Sequence, residues 1–161
     1  MSRLLVAAET PNREGDPQFE MGGWIDTAPF EQLLDMRICG ASAGKSELRM
    51  PFTVKLAQGG GIMHGGALTA LADTAVAMAV KSLLPEGTFF ATTHLSLRFL
   101  APVREGEVTA FAAVEGPFGR TLKGRAELVA EEGRKVAEFE AEFRIARGQG
   151  YVDSAAELPP R

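Results

Sequence analysis

From His64 to Leu84 the chain reads as one long helix with almost no polar side, closed by Pro85. Ala, Leu and Met dominate the stretch, and these residues favour helix. Ala67, Leu68, Ala70, Leu71, Ala72 and the run Ala75-Val76-Ala77-Met78-Ala79-Val80 cover the cylinder on every side. A helix that is apolar all round has to be covered all round. The apolar stretch from Gly65 to Val80 falls short of the ~20 residues a bilayer span needs, and it carries Asp73 in its middle. The helix therefore belongs inside a folded domain, and a carboxylate goes in with it.

The rest of the chain supplies strands. Leu34, Met36 and Ile38 alternate with Asp35 and Arg37, and Ser46, Leu48, Met50, Phe52 and Val54 alternate with Lys45, Glu47, Arg49, Pro51 and Thr53. Gly40 and Gly44 mark the turn between them, and Pro51 favours an edge position. After the helix come Leu95-Leu97-Phe99, Val108–Val114, Leu122–Leu128 and Ala137–Ile145, joined by short turns at Glu105-Gly106, Gly116–Gly119 and Glu131–Gly133. Short turns imply an antiparallel meander. The order β-β-α-β-β-β-β predicts an α+β fold, one long central helix against an antiparallel sheet of about six strands. A single sheet covers one side of such a helix, and a second copy of the chain is the simplest cover for the remainder.

Residues 1–32 form an N-terminal segment with one short helix, which Thr27 is placed to cap ahead of Pro29. The domain is expected over 33–147, and 148–161 reads as a solvated tail. At 161 residues one domain is expected. The net charge of −4 gives no whole-protein basic field for nucleic acid. A single cysteine, Cys39, excludes an intrachain disulfide and multi-cysteine zinc frameworks; we assign it, like Trp24, to packing. The apolar run Leu4–Ala8 is too short for the core of a signal peptide, so a cytoplasmic, soluble protein without a membrane partner is expected.

The segment from Gln58 through Gly59-Gly60-Gly61-Ile62-Met63-His64-Gly65-Gly66 to Asp73 is where chemistry can reside. Gly65 and Gly66 open the helix, where unpaired backbone N–H groups and the positive dipole end favour a developing negative charge. The oxyanion formed from an ester or thioester carbonyl is such a charge, and the missing side chains allow close approach. The same glycines would also serve mere tight packing. Asp73 either bonds to Thr69 or Thr74 as a structural group or acts as base or nucleophile with a raised pKa. Eight helical steps of ~1.5 Å separate Gly65 from Asp73 by about 12 Å, while both must come within roughly 3 Å of a reacting centre. If both are catalytic, Gly65 of one chain meets Asp73 of another.

Ile62-Met63-His64-Gly65-Gly66, Leu71-Ala72-Asp73 and Leu95-Ser96-Leu97-Arg98-Phe99-Leu100-Ala101-Pro102 resemble the hotdog-fold acyl-CoA thioesterases of the phenylacetate-degradation (PaaI-like) type, from about residue 33 to 147. The resemblance implies hydrolysis of an acyl-CoA thioester in a homodimer or dimer of dimers, with no metal and no cofactor beyond the CoA of the substrate. It implies that the Gly65 amide polarises the carbonyl and that Asp73 of the partner chain is nucleophile or general base. His64 and Gln58 match positions that shape the oxyanion-side loop, with Gly66 beside them. Thr92 (or Thr93) falls where relatives hold the water with a hydroxyl. Gly119-Arg120-Thr121 falls where similar enzymes meet the CoA phosphates, a task suited to a guanidinium. Lys123 and Arg104 are weaker candidates, and His94 sits on a polar strand face. Two alternatives remain: a non-catalytic acyl-CoA-binding module, and a hotdog hydratase. The hydratase patterns ask for acids where this chain has Met78 and Gly59.

Overall fold

The alternating segments pair into one six-stranded antiparallel sheet that curls around the long helix. The computed structural model describes residues 1–153. In chain order the elements are β1 (Arg3–Leu4), β2 (Phe19–Glu20), α1 (Pro29–Leu33), β3 (Arg37–Ser42), β4 (Lys45–Pro51), a 3₁₀ turn (Val54–Leu56), α2 (Gly65–Lys81), β5 (Phe90–Phe99), β6 (Glu107–Phe118), β7 (Thr121–Ala130) and β8 (Lys135–Ile145). The main sheet runs β3-β4-β6-β7-β8-β5, and β1 and β2 form a separate two-stranded ladder.

Period-two alternation drives the packing. Ala137, Phe139, Ala141, Phe143 and Ile145 of β8 are all buried, as are Leu122, Ala126 and Leu128 of β7, while Glu138, Glu140 and Glu142 face out. Against them lie Leu71, Ala72, Ala75, Val76, Ala79 and Val80 of α2. Each large side chain so buried contributes about 1.5–3 kcal/mol. Helix and sheet meet most closely at Gly124: a Cβ there would lie 2.2 Å from Val76 Cγ1, so only glycine lets α2 rest on β7.

Three details differ from the expectation. The meander holds for β6-β7-β8, but β5 crosses to the far edge and pairs with β8, while β4 pairs with β6. The helix between β4 and β5 makes this crossover, and short-turn reasoning does not see it. The first hairpin turns at Ala43-Gly44, both with positive φ (47° and 75°), and Gly40 instead follows a bulge inside β3. The residue before α1 is Ala28, not Thr27, and the Glu31 carboxylate reaches back to accept from the Ala28 N–H at 2.8 Å.

The cover of α2 also differs. Ala70, Asp73, Ala77 and Lys81, spaced at helical intervals away from the sheet, are only half-buried in the single chain. Residues 24–36 cover part of this seam. Trp24 donates its indole N–H to the Lys81 carbonyl at 2.9 Å, and its ring packs on Phe90 and under the Lys81 ammonium. Trp24 thus packs as expected, but Cys39 is exposed. The solvated tail falls partly outside the described residues. Within them Gln149 clamps Phe89 through its N–H and carbonyl, and Tyr151 packs on the core.

Candidate active site

The loop before α2 is built by its own backbone. The Gln58 N–H donates to the Ile62 carbonyl at 2.9 Å and the Gly61 N–H returns to the Gln58 carbonyl at 2.8 Å. The Met63 N–H reaches the Val103 carbonyl, and the His64 N–H reaches that of Leu56, so two neighbouring segments fix the start of the helix. His64 is the N-cap residue, and its Nδ1 accepts from the Gly66 N–H at 2.8 Å. The Gln58 side chain accepts from the Gly60 N–H. Among the described residues the Gly65 N–H meets no acceptor. Gly65 lines, with Gln58 and Phe99, a cleft of about 480 Å³. His64 and Gly66 face a second cleft of about 230 Å³ next to Phe30, Leu34 and Lys55. An unpaired N–H at the positive end of a helix is a donor for a developing oxyanion.

Asp73 lies two turns further on. Thr92 Oγ1 donates to its Oδ1 at 2.9 Å, so neither Thr69, which bonds the Gly65 carbonyl, nor Thr74 is its hydroxyl partner. Burial pushes the Asp73 carboxyl above the usual range and the nearby negative Glu31 adds to this, while the Thr92 hydrogen bond opposes both. Such a carboxylate is a stronger base than a solvated one.

A bulge in β5 makes this contact. The register steps from Thr92↔Phe143 to His94↔Glu142, leaving Thr93 as the extra residue. Strict alternation would place either Thr92 or Leu95, Leu97 and Phe99 toward the helix. The extra residue resets the phase so that both sets point inward. Thr93 accordingly turns aside, toward the Glu142 carbonyl.

The structure thus groups Gln58, His64, Gly65 and Gly66 at one point of α2, and Asp73 with Thr92 at another. It does not bring the two points together within one chain. Arg120 and Thr121 lie in neither group. Arg120, expected as an exposed partner for phosphate, is only 6% exposed. Its guanidinium donates to the Ile145 carbonyl and pairs with Asp153, whose carboxyl it holds below the usual range. Thr121 begins β7 opposite Phe118 and Arg144. The tail holding Arg120 carries no pattern that reveals the docking. His94 is exposed on the outer sheet face, and Met78, where one hydratase pattern needs an acid, is buried in the core. Phe99 and Glu31 were not singled out from the sequence; the inward phase of Leu95-Leu97-Phe99 was the available signal for the first. No group of three or more metal-ligating side chains occurs among the described residues.

A long helix wrapped by an antiparallel six-stranded sheet, with a glycine pair at its start, is the hotdog fold. The family model described as the thioesterase superfamily matches residues 60–137. The chain is 26% identical to the Escherichia coli PaaI protein from the phenylacetic acid degradation operon, with a TM-score of 0.69 over 79% of this chain and 88% of that one. It is 25% identical to a thioesterase of Haemophilus influenzae, with a TM-score of 0.68 over 73% and 82% of the two chains. A Halobacterium salinarum protein named "Putative esterase" is 35% identical over 96 residues, which are 56% of this chain and 63% of that protein. The match therefore spans less than two thirds of that relative. The chain thus shares the hotdog fold of the PaaI-like proteins and, over residues 60–137, is similar to the thioesterase superfamily.

Proposed function

We propose that the protein hydrolyses acyl-CoA thioesters to the free acid and CoA, in a site that two copies of the chain share. The observation that carries this reading is the pairing of an unsatisfied N–H at Gly65 with a desolvated carboxylate at Asp73 on the same helix. The two lie about 12 Å apart along the axis, too far to serve one carbonyl from one chain.

In the shared site the Gly65 N–H donates to the carbonyl oxygen and stabilises its growing negative charge. Asp73 of the other chain works from the opposite side, and Thr92 holds its carboxylate in place. As general base, Asp73 takes a proton from water while the oxygen of that water bonds to the carbonyl carbon. The C–S bond then breaks and the proton passes to the CoA thiolate. As nucleophile, its oxygen bonds to the carbonyl carbon, the C–S bond breaks and the CoA thiolate leaves; water then cleaves the mixed anhydride to the free acid and the Asp73 carboxylate, and the proton released passes to the thiolate. His64 and Gln58 hold the donor loop, and no cofactor beyond the CoA of the substrate enters either route.

Two features support the second copy. The half-buried seam of α2 contains Asp73 itself. Among the described residues strand β5, ten residues long, is an edge of the sheet with Leu95 exposed on its helix side, a surface that soluble proteins cover. A homodimer or a pair of dimers in the cytoplasm completes the reading.

The test is thiol release from a panel of short, medium, long and aromatic acyl-CoA esters. Turnover of at least one class is expected. Binding without turnover across the panel would favour an acyl-CoA-binding module and overturn hydrolysis.

A further inference from the structure

We propose that Phe99 sets which acyl groups the site admits: uncharged chains with a CH2 next to the carbonyl pass, and chains branched at that carbon are turned away. This deepens the hydrolase reading and rests on it.

Phe99 aims the far end of its ring at Gly65. A Cβ built on Gly65 would lie 2.8 Å from Phe99 Cζ and 3.2 Å from Cε1, so the ring stands against the backbone that carries the unpaired N–H. The ring is nevertheless 56% exposed, so the core does not account for it. A carbonyl oxygen held about 3 Å from that N–H brings the two substituents of its carbon alongside the ring. One is the thioester sulfur and the other is the first carbon of the acyl chain.

The cleft decides which of them meets Phe99. Its walls around Gly65 include Ile62, Leu68, Phe99 and Leu100, and among the described residues Gln58 is the one polar side chain lining it, with no charged one. The pantetheine arm of CoA carries amides that lose free energy when buried without partners. An acyl chain carries none and suits this wall. A second carboxylate on the acyl group would be buried there without a counter-charge. Beyond the ring the cleft is wide, at about 480 Å³, so the restriction falls on the carbon nearest Gly65 and not on chain length.

The contact also depends on the β5 bulge. The extra residue at Thr93 turns Phe99 inward together with Thr92, so one irregularity places both the acyl wall and the group that holds Asp73.

The experiment compares butanoyl-, 2-methylpropanoyl-, hexanoyl- and 2-methylhexanoyl-CoA by kcat/KM in the parent, Phe99→Ala and Phe99→Trp. The same pairs are measured for binding as ketone analogues, with CH2 replacing the thioester sulfur. The parent should favour each straight chain over its branched partner about tenfold or more, the usual worth of one methyl group in a tight pocket. Phe99→Ala should bring the ratio to within about threefold, and Phe99→Trp should widen it. Equal loss on straight and branched substrates in Phe99→Ala, with the ratio intact, would overturn the assignment, as would a parent that never discriminates. If no thioester turns over but the analogues show the same preference and its loss, the acyl wall stands and hydrolysis falls. If neither turnover nor binding separates the pairs, the acyl wall is overturned.

Discussion

Replacing Asp73 by Asn changes one charge and almost no volume, and it should make the protein more stable while abolishing its chemistry. The ionised carboxylate is half-buried on an apolar helix, receives one hydrogen bond, from Thr92, and has Glu31 as a like-charged neighbour. No Lys or Arg is among the groups acting on it. Asn keeps an oxygen for Thr92 and removes the charge. Solvent still screens part of the group, so the gain at neutral pH should be about 0.5–1 kcal/mol, or ~1–4 °C in Tm for a domain of this size. The sign of the pH dependence follows from the raised pKa. An acid whose folded pKa is raised stabilises the fold, relative to its charged form, below the unfolded pKa, and that contribution is lost as pH rises through the folded pKa. The advantage of Asp73→Asn should therefore be complete above the folded pKa and shrink to nothing as pH falls below the unfolded value near ~4. Paired thermal melts across pH 3.5–8, with thiol release at neutral pH, read both effects. A lower Tm for Asp73→Asn at pH 7, or full activity in the variant, would refute the reasoning.

Two further substitutions separate position from chemistry. Thr92→Val keeps the β-branched shape but removes the donor that lowers the Asp73 pKa. The acid limb of the pH–rate profile should move to higher pH, and kcat should fall about tenfold; superimposable profiles would dismiss Thr92 as a positioning residue. Arg120→Ala removes a buried guanidinium that ties the tail to β8 through Asp153 and the Ile145 carbonyl. Tm should drop by about 3 °C or more with a smaller effect on KM. A raised KM at unchanged Tm would return Arg120 to the CoA phosphates.

The strands and the long helix were legible because their patterns are strong: alternation through Ala137–Ile145, and a Gly65–Val80 run that only Thr69, Asp73 and Thr74 interrupt with polar side chains, leave little choice. The pairing of β5 with β8 was not, because local pattern fixes the face of a strand but not its neighbour across a helical crossover. His64, Gly65 and Asp73 stood out as polar or glycine positions in an apolar run. The hydroxyl beside Asp73 depended on a one-residue bulge, which inverts side-chain phase and leaves no compositional mark at Thr92-Thr93. Arg120 illustrates the reverse problem. A turn arginine between Gly119 and Thr121 looks exposed until the tail at Asp153 folds back over it, and that contact spans 33 residues.

The central claim is that Gly65 and Asp73 act on one substrate from two chains. Asp73→Ala and Gly65→Val, each inactive alone, should be co-refolded in equal amounts and assayed for thiol release. A mixed dimer holds one site with both defects and one with neither. Random pairing makes half the dimers mixed, so activity should return to about a quarter of the parent's. Continued inactivity, with mixed dimers verified by native mass spectrometry, would place both residues in the site of a single chain and contradict the account.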